Sequence, residues 1–225
     1  MNKKIKIFLL AIFAFILLTF FNSADANSID NISMDIALDD NGNASITEIW
    51  NCNVTDGTEV YHPYYNLGNS KITDLSVSEN GTAYSSLSSW KTSGSLSDKA
   101  YRCGINKISN GVELCWGISK YGSHSYEVKY NISNFVSELT DSQMIYWTLI
   151  PYDFSNPIGN VYIKIHSNFN IPDSVGVWGY GNYGGTAYVY DGYIEMQSDG
   201  RLASSEYMTI LVQFPLNTFN CSNKL

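Results

Sequence analysis

The sequence predicts an all-β protein, an antiparallel β-sandwich of roughly ten short strands preceded by an N-terminal signal helix. Three observations lead there. Apolar residues recur at every second position in many short segments, and a period of two puts them on one face of a strand. Tight-turn signals separate these segments, among them Asn41-Gly42, Asn80-Gly81, Asn110-Gly111 and Asp191-Gly192. The 17 Tyr and 17 Gly suit strands and turns better than helices.

In chain order, Ile32, Met34, Ile36 and Leu38 alternate with Ser33, Asp35 and Ala37, which makes a half-buried strand. A turn over Asp39 to Asn43 leads into a return strand through Ile46, Glu48 and Trp50. Asp39, Asn41 and Asn43 also fit the first three ligand positions of a calcium loop. Ala44 then stands where glycine is required and Trp50 where glutamate is required, so the segment reads as a turn. Asp56 to Asn69 reads as a loop, with His62-Pro63-Tyr64-Tyr65 inside it. Ile72 to Ser78 is a strand, followed by a turn and a strand around Tyr84. The serine-rich Ser85 to Lys99, with Trp90, reads as a surface excursion within one domain, because the strand pattern resumes at Gly104.

The organising stretch is Gly111 to Ile132. Val112, Leu114, Trp116 and Ile118 form one apolar row, and Tyr126, Val128, Tyr130 and Ile132 form another. With Gly122 in the segment between them, the two halves read as a hairpin with a longer loop. Phe135 to Thr140 reads as short irregular or helical structure. Gln143 to Ile150 is apolar with little alternation, which suits a strand buried on both faces. Val161, Ile163 and Ile165 alternate, and strands follow at Val175 to Gly181 and Thr186 to Tyr190. Asp191-Gly192 turns into Tyr193 to Gln197, and the last strand is Tyr207 to Phe214.

Composition and charge set the address. Hydrophobic residues make up 44% of the 225 positions, enough for one core, whereas charged residues are only 15%, so Asn, Ser, Thr, Gly and Tyr must build the surface. Lys3, Lys4 and Lys6 precede an apolar run from Ile7 to Phe21, and Ala24-Asp25-Ala26 has small residues two apart. Residues 1–26 therefore read as a cleavable signal peptide, with an uncleaved anchor as the alternative, and residues 27–225 as one extracytoplasmic domain. The formal charge of −8 and the lack of a basic cluster argue against nucleic acid as a partner. Contact with a membrane is expected only through the N-terminal segment, where that segment stays uncleaved. Export permits disulfides, and Cys103 and Cys115 are candidates to pair, with a small buried thiol at Cys115 as the alternative.

Ile32-Ser33-Met34-Asp35-Ile36, Asp40-Asn41-Gly42, Thr47-Glu48-Ile49-Trp50 and Val77-Ser78 share their order and spacing with a known family. So do Glu113-Leu114-Cys115-Trp116-Gly117-Ile118, Tyr126-Glu127-Val128-Lys129-Tyr130 and the strand at Tyr146-Trp147. On these residues the chain resembles the domain of unknown function 2207, over roughly Ile29 to Pro215. The resemblance implies an exported, β-rich N-terminal domain of bacterial membrane proteins, usually followed by membrane helices and a low-complexity tail. This sequence shows neither after Pro215, and the family supplies no catalytic residue to carry over.

No motif names a reaction. Gly179 to Gly184 spells G-x-G-x-x-G but leads into a strand, so a dinucleotide fingerprint is excluded. His62, His124 and His166 are far apart, with no metal-ligand spacing, and no cofactor or metal is expected. The G-x-S-x-G elbow is absent. The Asn-x-Ser/Thr sequons read as incidental to an Asn-rich surface. Trp178, Tyr180, Tyr183, Tyr188 and Tyr190 surround flexible glycines and are the candidate binding residues, with a role in the sheet core as the alternative. Glu48 is the one acid that alternation turns inward, where a carboxylate needs a partner. The expected function is a non-catalytic binding module of the bacterial cell envelope, with an envelope polymer or a membrane protein as partner. The alternatives are a glycan hydrolase built on Glu48 and a second carboxylate, or a structural ectodomain of a membrane complex.

Overall fold

The structure is a computed structural model that describes residues 27–152, 154 and 156–225. The expected signal segment, residues 1–26, and the carboxylate Asp153 lie outside the described residues. Among the described residues no helix is long and apolar enough to cross a membrane, which leaves strands out of account.

The described residues form three sheets. The longest is built from β1 (Ser28–Leu38), β2 (Ala44–Val54), β4 (Lys71–Glu79), β5 (Thr82–Ala83), β9 (Gly122–Ser133), β12 (Val161–Ser167), β14 (Thr186–Tyr190) and β15 (Tyr193–Gln197), in the order β14-β15-β12-β1-β2-β9-β4-β5. A second sheet has β10 (Val136–Glu138), β11 (Ser142–Ile150), β13 (Gly176–Tyr180) and β16 (Met208–Pro215), in the order β10-β11-β16-β13. The third has β3 (Glu59–Tyr65), β6 (Ser85–Leu87), β7 (Arg102–Ile108) and β8 (Gly111–Gly117), in the order β3-β8-β7-β6. A four-residue helix, α1 (Leu96–Lys99), starts with a Ser95 capping box.

The all-β expectation holds, but the long sheet and the third sheet are mixed, and only the second is antiparallel throughout. β1 runs parallel to β12 and β6 parallel to β7. Tight turns join only antiparallel neighbours, so turn signals in the sequence report only those pairings. The β1–β12 pair joins residues more than a hundred positions apart, with no local signal.

One continuous core lies between the long sheet and the two shorter ones. Trp50 of β2 meets Trp116 of β8 edge-on at 5.2 Å, and Trp116 meets Tyr126 of β9 at 5.8 Å. These contacts explain a second correction. Gly111 to Ile132 is not a hairpin: β8 pairs with β3 and β7, whereas β9 pairs with β2 and β4. Its two apolar rows face each other across the core because the segment crosses from one sheet to another. The loop expected over Asp56 to Asn69 contains strand β3, and the irregular segment near Phe135 contains strand β10.

β11 corrects a third expectation. Ile145 and Leu149 are buried, but Tyr146 and Thr148 between them are exposed, so the strand has one wet face. The turn after β1 is held by Asp39, whose Oδ1 accepts from the amides of Asn41 at 2.9 Å and Asn43 at 2.8 Å. That carboxylate is spent on the turn, as the sequence implied.

Candidate functional site

A sealed polar pin lies in the core, and an aromatic platform lies outside it. Glu48 sits on β2 between Ile46 and Trp50, so the strand's alternation turns it inward, and it is 0% exposed. His62 of β3 approaches with Nδ1 3.0 Å from Glu48 Oε1. Trp50 Nε1 and Tyr130 Oη also donate to the carboxylate. Tyr64 stacks on the imidazole with centroids 4.6 Å apart, and its hydroxyl lies 2.6 Å from that of Tyr130. Burial alone would raise the Glu48 pKa, but the charge of His62 and the hydrogen bonds from His62, Tyr130 and Trp50 outweigh it and hold the group below the usual carboxylate range.

His62 Nε2 lies 3.0 Å from the Leu149 carbonyl. Both ring nitrogens therefore face acceptors, the Glu48 carboxylate on one side and the Leu149 carbonyl on the other. The Leu149 carbonyl is free to accept because the β11–β16 register skips Leu149, which is a β-bulge. The pin thus joins β2, β3 and β11, one strand from each sheet.

On either side of the His62–Leu149 bond, Pro63 and Tyr65 of β3 face Thr148 and Pro151 across a cleft of about 620 Å³. Tyr146, Tyr152, Tyr207, Asn66 and Asn110 complete its walls. Tyr146 is 59% and Tyr152 58% exposed, and Tyr152 packs edge-on against Tyr207 at 6.4 Å. Asn66 takes a left-handed backbone, φ 56°, and its amide donates to the Asn110 carbonyl. A Cβ on Gly111 would stand 1.9 Å from the Tyr64 carbonyl, so glycine is what lets the β7–β8 turn close on β3. From the cleft the platform continues over the outer face of the second sheet. Tyr146, Leu211 and Trp178 share one cross-strand row, and Thr148, Thr209 and Tyr180 share the next.

The five candidate binding residues separate. Trp178 and Tyr180 are exposed on the platform. Tyr188 and Tyr190 are exposed on the outer face of the long sheet, where Tyr188 donates to Glu195 at 2.9 Å. Tyr183 is only 9% exposed and packs over Gly179. The stretch 176–190 therefore spans two sheets, with β13 in the second and β14 in the long one. Glu48 is inward as expected, but it is sealed, and none of its hydrogen-bond partners is a carboxylate.

Cys103 and Cys115 do not pair. Cys103 stands opposite Trp116 and Cys115 opposite Gly104, so the two thiols point to opposite faces of the β7–β8 ladder. The reading of Cys115 as a small buried thiol fits, and burial together with nearby Glu59 and Glu113 pushes its pKa up.

Sequence reasoning missed Tyr65, Tyr146, Tyr152, Tyr207 and the His62 partner of Glu48. Their signal was present in part. In Ile145-Tyr146-Trp147-Thr148-Leu149 the alternation is clear once Tyr146 is counted as an outward, amphipathic ring.

The family described as "Predicted membrane protein (DUF2207) N-terminal domain" matches residues 28–214. No curated protein matches the sequence. Among solved structures, yeast LTA4 hydrolase in complex with bestatin is similar at a TM-score of 0.50 and 8% identity, over 83% of this chain and 28% of that one. Native leukotriene A4 hydrolase from Saccharomyces cerevisiae gives 0.48 and 8%, over 84% and 29%. A putative nutrient binding protein from Legionella pneumophila gives 0.43 and 10%, over 84% and 68%. This chain thus spans less than a third of the yeast hydrolase chains, and at 8% identity the likeness at a TM-score of 0.50 concerns the fold alone.

Proposed function

We propose that this chain, which belongs to the family of predicted membrane protein (DUF2207) N-terminal domains, is an extracytoplasmic module that binds a component of the bacterial cell envelope without chemistry of its own. The observation that carries the reading is the Tyr146–Leu211–Trp178 row with Tyr180 beside it, rings left in solvent on an outer sheet face. Exposed apolar surface of this kind marks recognition sites, and Tyr and Trp lead among recognition residues. Export by the Lys3 to Ala26 segment belongs to the same reading. The hydrolase alternative loses its anchor, because a sealed Glu48 with every oxygen engaged offers nothing to a substrate.

Co-sedimentation of residues 27–225 with purified bacterial cell walls tests the reading. Saturable binding, weakened at least about fivefold by Trp178→Ala, is expected, since loss of a central aromatic contact costs on the order of 1 kcal/mol or more. The same affinity in the variant would overturn it. A structural ectodomain remains the second reading, favoured by the family's description as part of membrane proteins. It gains if walls fail to bind while a membrane protein is captured through the same face.

A further inference from the structure

We propose that the cleft between β3 and β11 is a subsite for an uncharged glycan chain. The proposal rests on the platform reading above and names its ligand class.

The chemistry of the walls makes the case. Tyr65, Tyr146, Tyr152 and Tyr207 supply rings, and Asn66 and Asn110 supply amides. No acidic or basic side chain lines the cleft among the described residues. A pyranose ring has an apolar C–H face and a rim of neighbouring hydroxyls. Tyr rings present flat apolar area with a polar tip, and each amide offers two donors and an acceptor to adjacent hydroxyls. The volume of about 620 Å³ lies within the range of small-ligand sites.

Other occupants fit less well. An anionic polymer would lose hydration on entry and find no cation in the walls to replace it. A peptide strand adding to β3, the edge of its sheet, would meet Pro63, which has no backbone N–H to donate. A lipid chain gains nothing from the Asn amides.

The surface also fits a polymer better than a free sugar. Tyr146 and Trp178 stand two strands apart, about 10 Å, so the platform extends beyond the cleft by more than one ring. The cleft then holds one unit and the Tyr146–Trp178 row the units that follow.

The test is competition. Residues 27–225, which carry their own core, are bound to purified cell walls and challenged with cellohexaose, chitohexaose, glucose and an oligogalacturonate. At least one neutral hexasaccharide is expected to displace the protein, with glucose and the charged oligomer ineffective. Tyr152→Ala is expected to weaken that neutral hexasaccharide about tenfold, and Tyr188→Ala, on the opposite face, to leave it unchanged. Circular dichroism confirms that both variants fold. Wall binding that depends on Trp178 but that no neutral hexasaccharide displaces would overturn the glycan assignment and leave the platform reading standing. Displacement by glucose at equal concentration would overturn the polymer. Absence of wall binding would overturn both readings together.

Discussion

At the scale of single residues, the Glu48–His62 pair, with both side chains 0% exposed, is expected to tolerate poorly the loss of one partner. Removing one partner of a buried pair strands the other charge, whereas replacing both with apolar groups is often neutral or better. Glu48→Gln is therefore expected to cost about 3–5 kcal/mol in urea unfolding at pH 7. A Glu48→Leu/His62→Leu variant should recover only part of that loss, because it leaves Trp50 Nε1, Tyr130 Oη and the Leu149 carbonyl buried without these partners, and a Glu48→Gln cost below about 1 kcal/mol would contradict the pin. The pH dependence follows from the lowered pKa of Glu48. Its stabilising contribution is present above its unfolded value, about 4.3, and is lost as pH falls through the lower folded value. Glu79 acts in the same direction. Burial would raise it, but hydrogen bonds from His124, Tyr84 and Ser119 and the charge of His124 hold it low. Stability should thus fall as pH drops below about 4, with a flatter acid limb in Glu48→Gln. Alternation in Ile46-Thr47-Glu48-Ile49-Trp50 was enough to place Glu48 inward. His62 was not legible, because its partners Glu48 and Leu149 are brought to it by the two other sheets.

At the scale of elements, faces were easier to read than partners. The alternation on β1, β2 and β12 reports which side of each strand is wet, and it does so correctly. It carries nothing about which strand lies alongside, so Gly111 to Ile132 looked like a hairpin, and nothing in the pattern showed that β13 and β14 join different sheets. The glycines of Gly179 to Gly184, read as bends, have a further use. Gly181 has φ +125° and stands so close to Tyr207 that a Cβ would lie 1.8 Å from the Tyr207 carbonyl. Gly181→Ala is expected to cost about 1–3 kcal/mol by overpacking. It should also displace Tyr207 and weaken wall binding, measured by urea unfolding and co-sedimentation of the same sample. Unchanged stability would show that β13 and the Tyr207 segment do not meet as described.

At the scale of the molecule, one buried bond network and one outer face are coupled by position. The pin fixes β3 against β11, and the residues flanking that bond, Pro63, Tyr65, Thr148 and Pro151, are the cleft walls. Fold class was legible because short-range alternation and turns report β structure directly. The proposed binding face was legible only in part, since Trp178 and Tyr180 were found, but Tyr146 comes from β11 and Tyr152 and Tyr207 from the segments just after β11 and just before β16. The two exposed tyrosine groups give the sharpest test of which face acts. Wall co-sedimentation is measured for two matched pairs, Tyr146→Ala/Trp178→Ala on the second sheet and Tyr188→Ala/Tyr190→Ala on the long sheet. The account predicts that the first pair loses saturable binding while the second binds like the unaltered domain. Loss confined to the second pair, or equal loss in both, would contradict it.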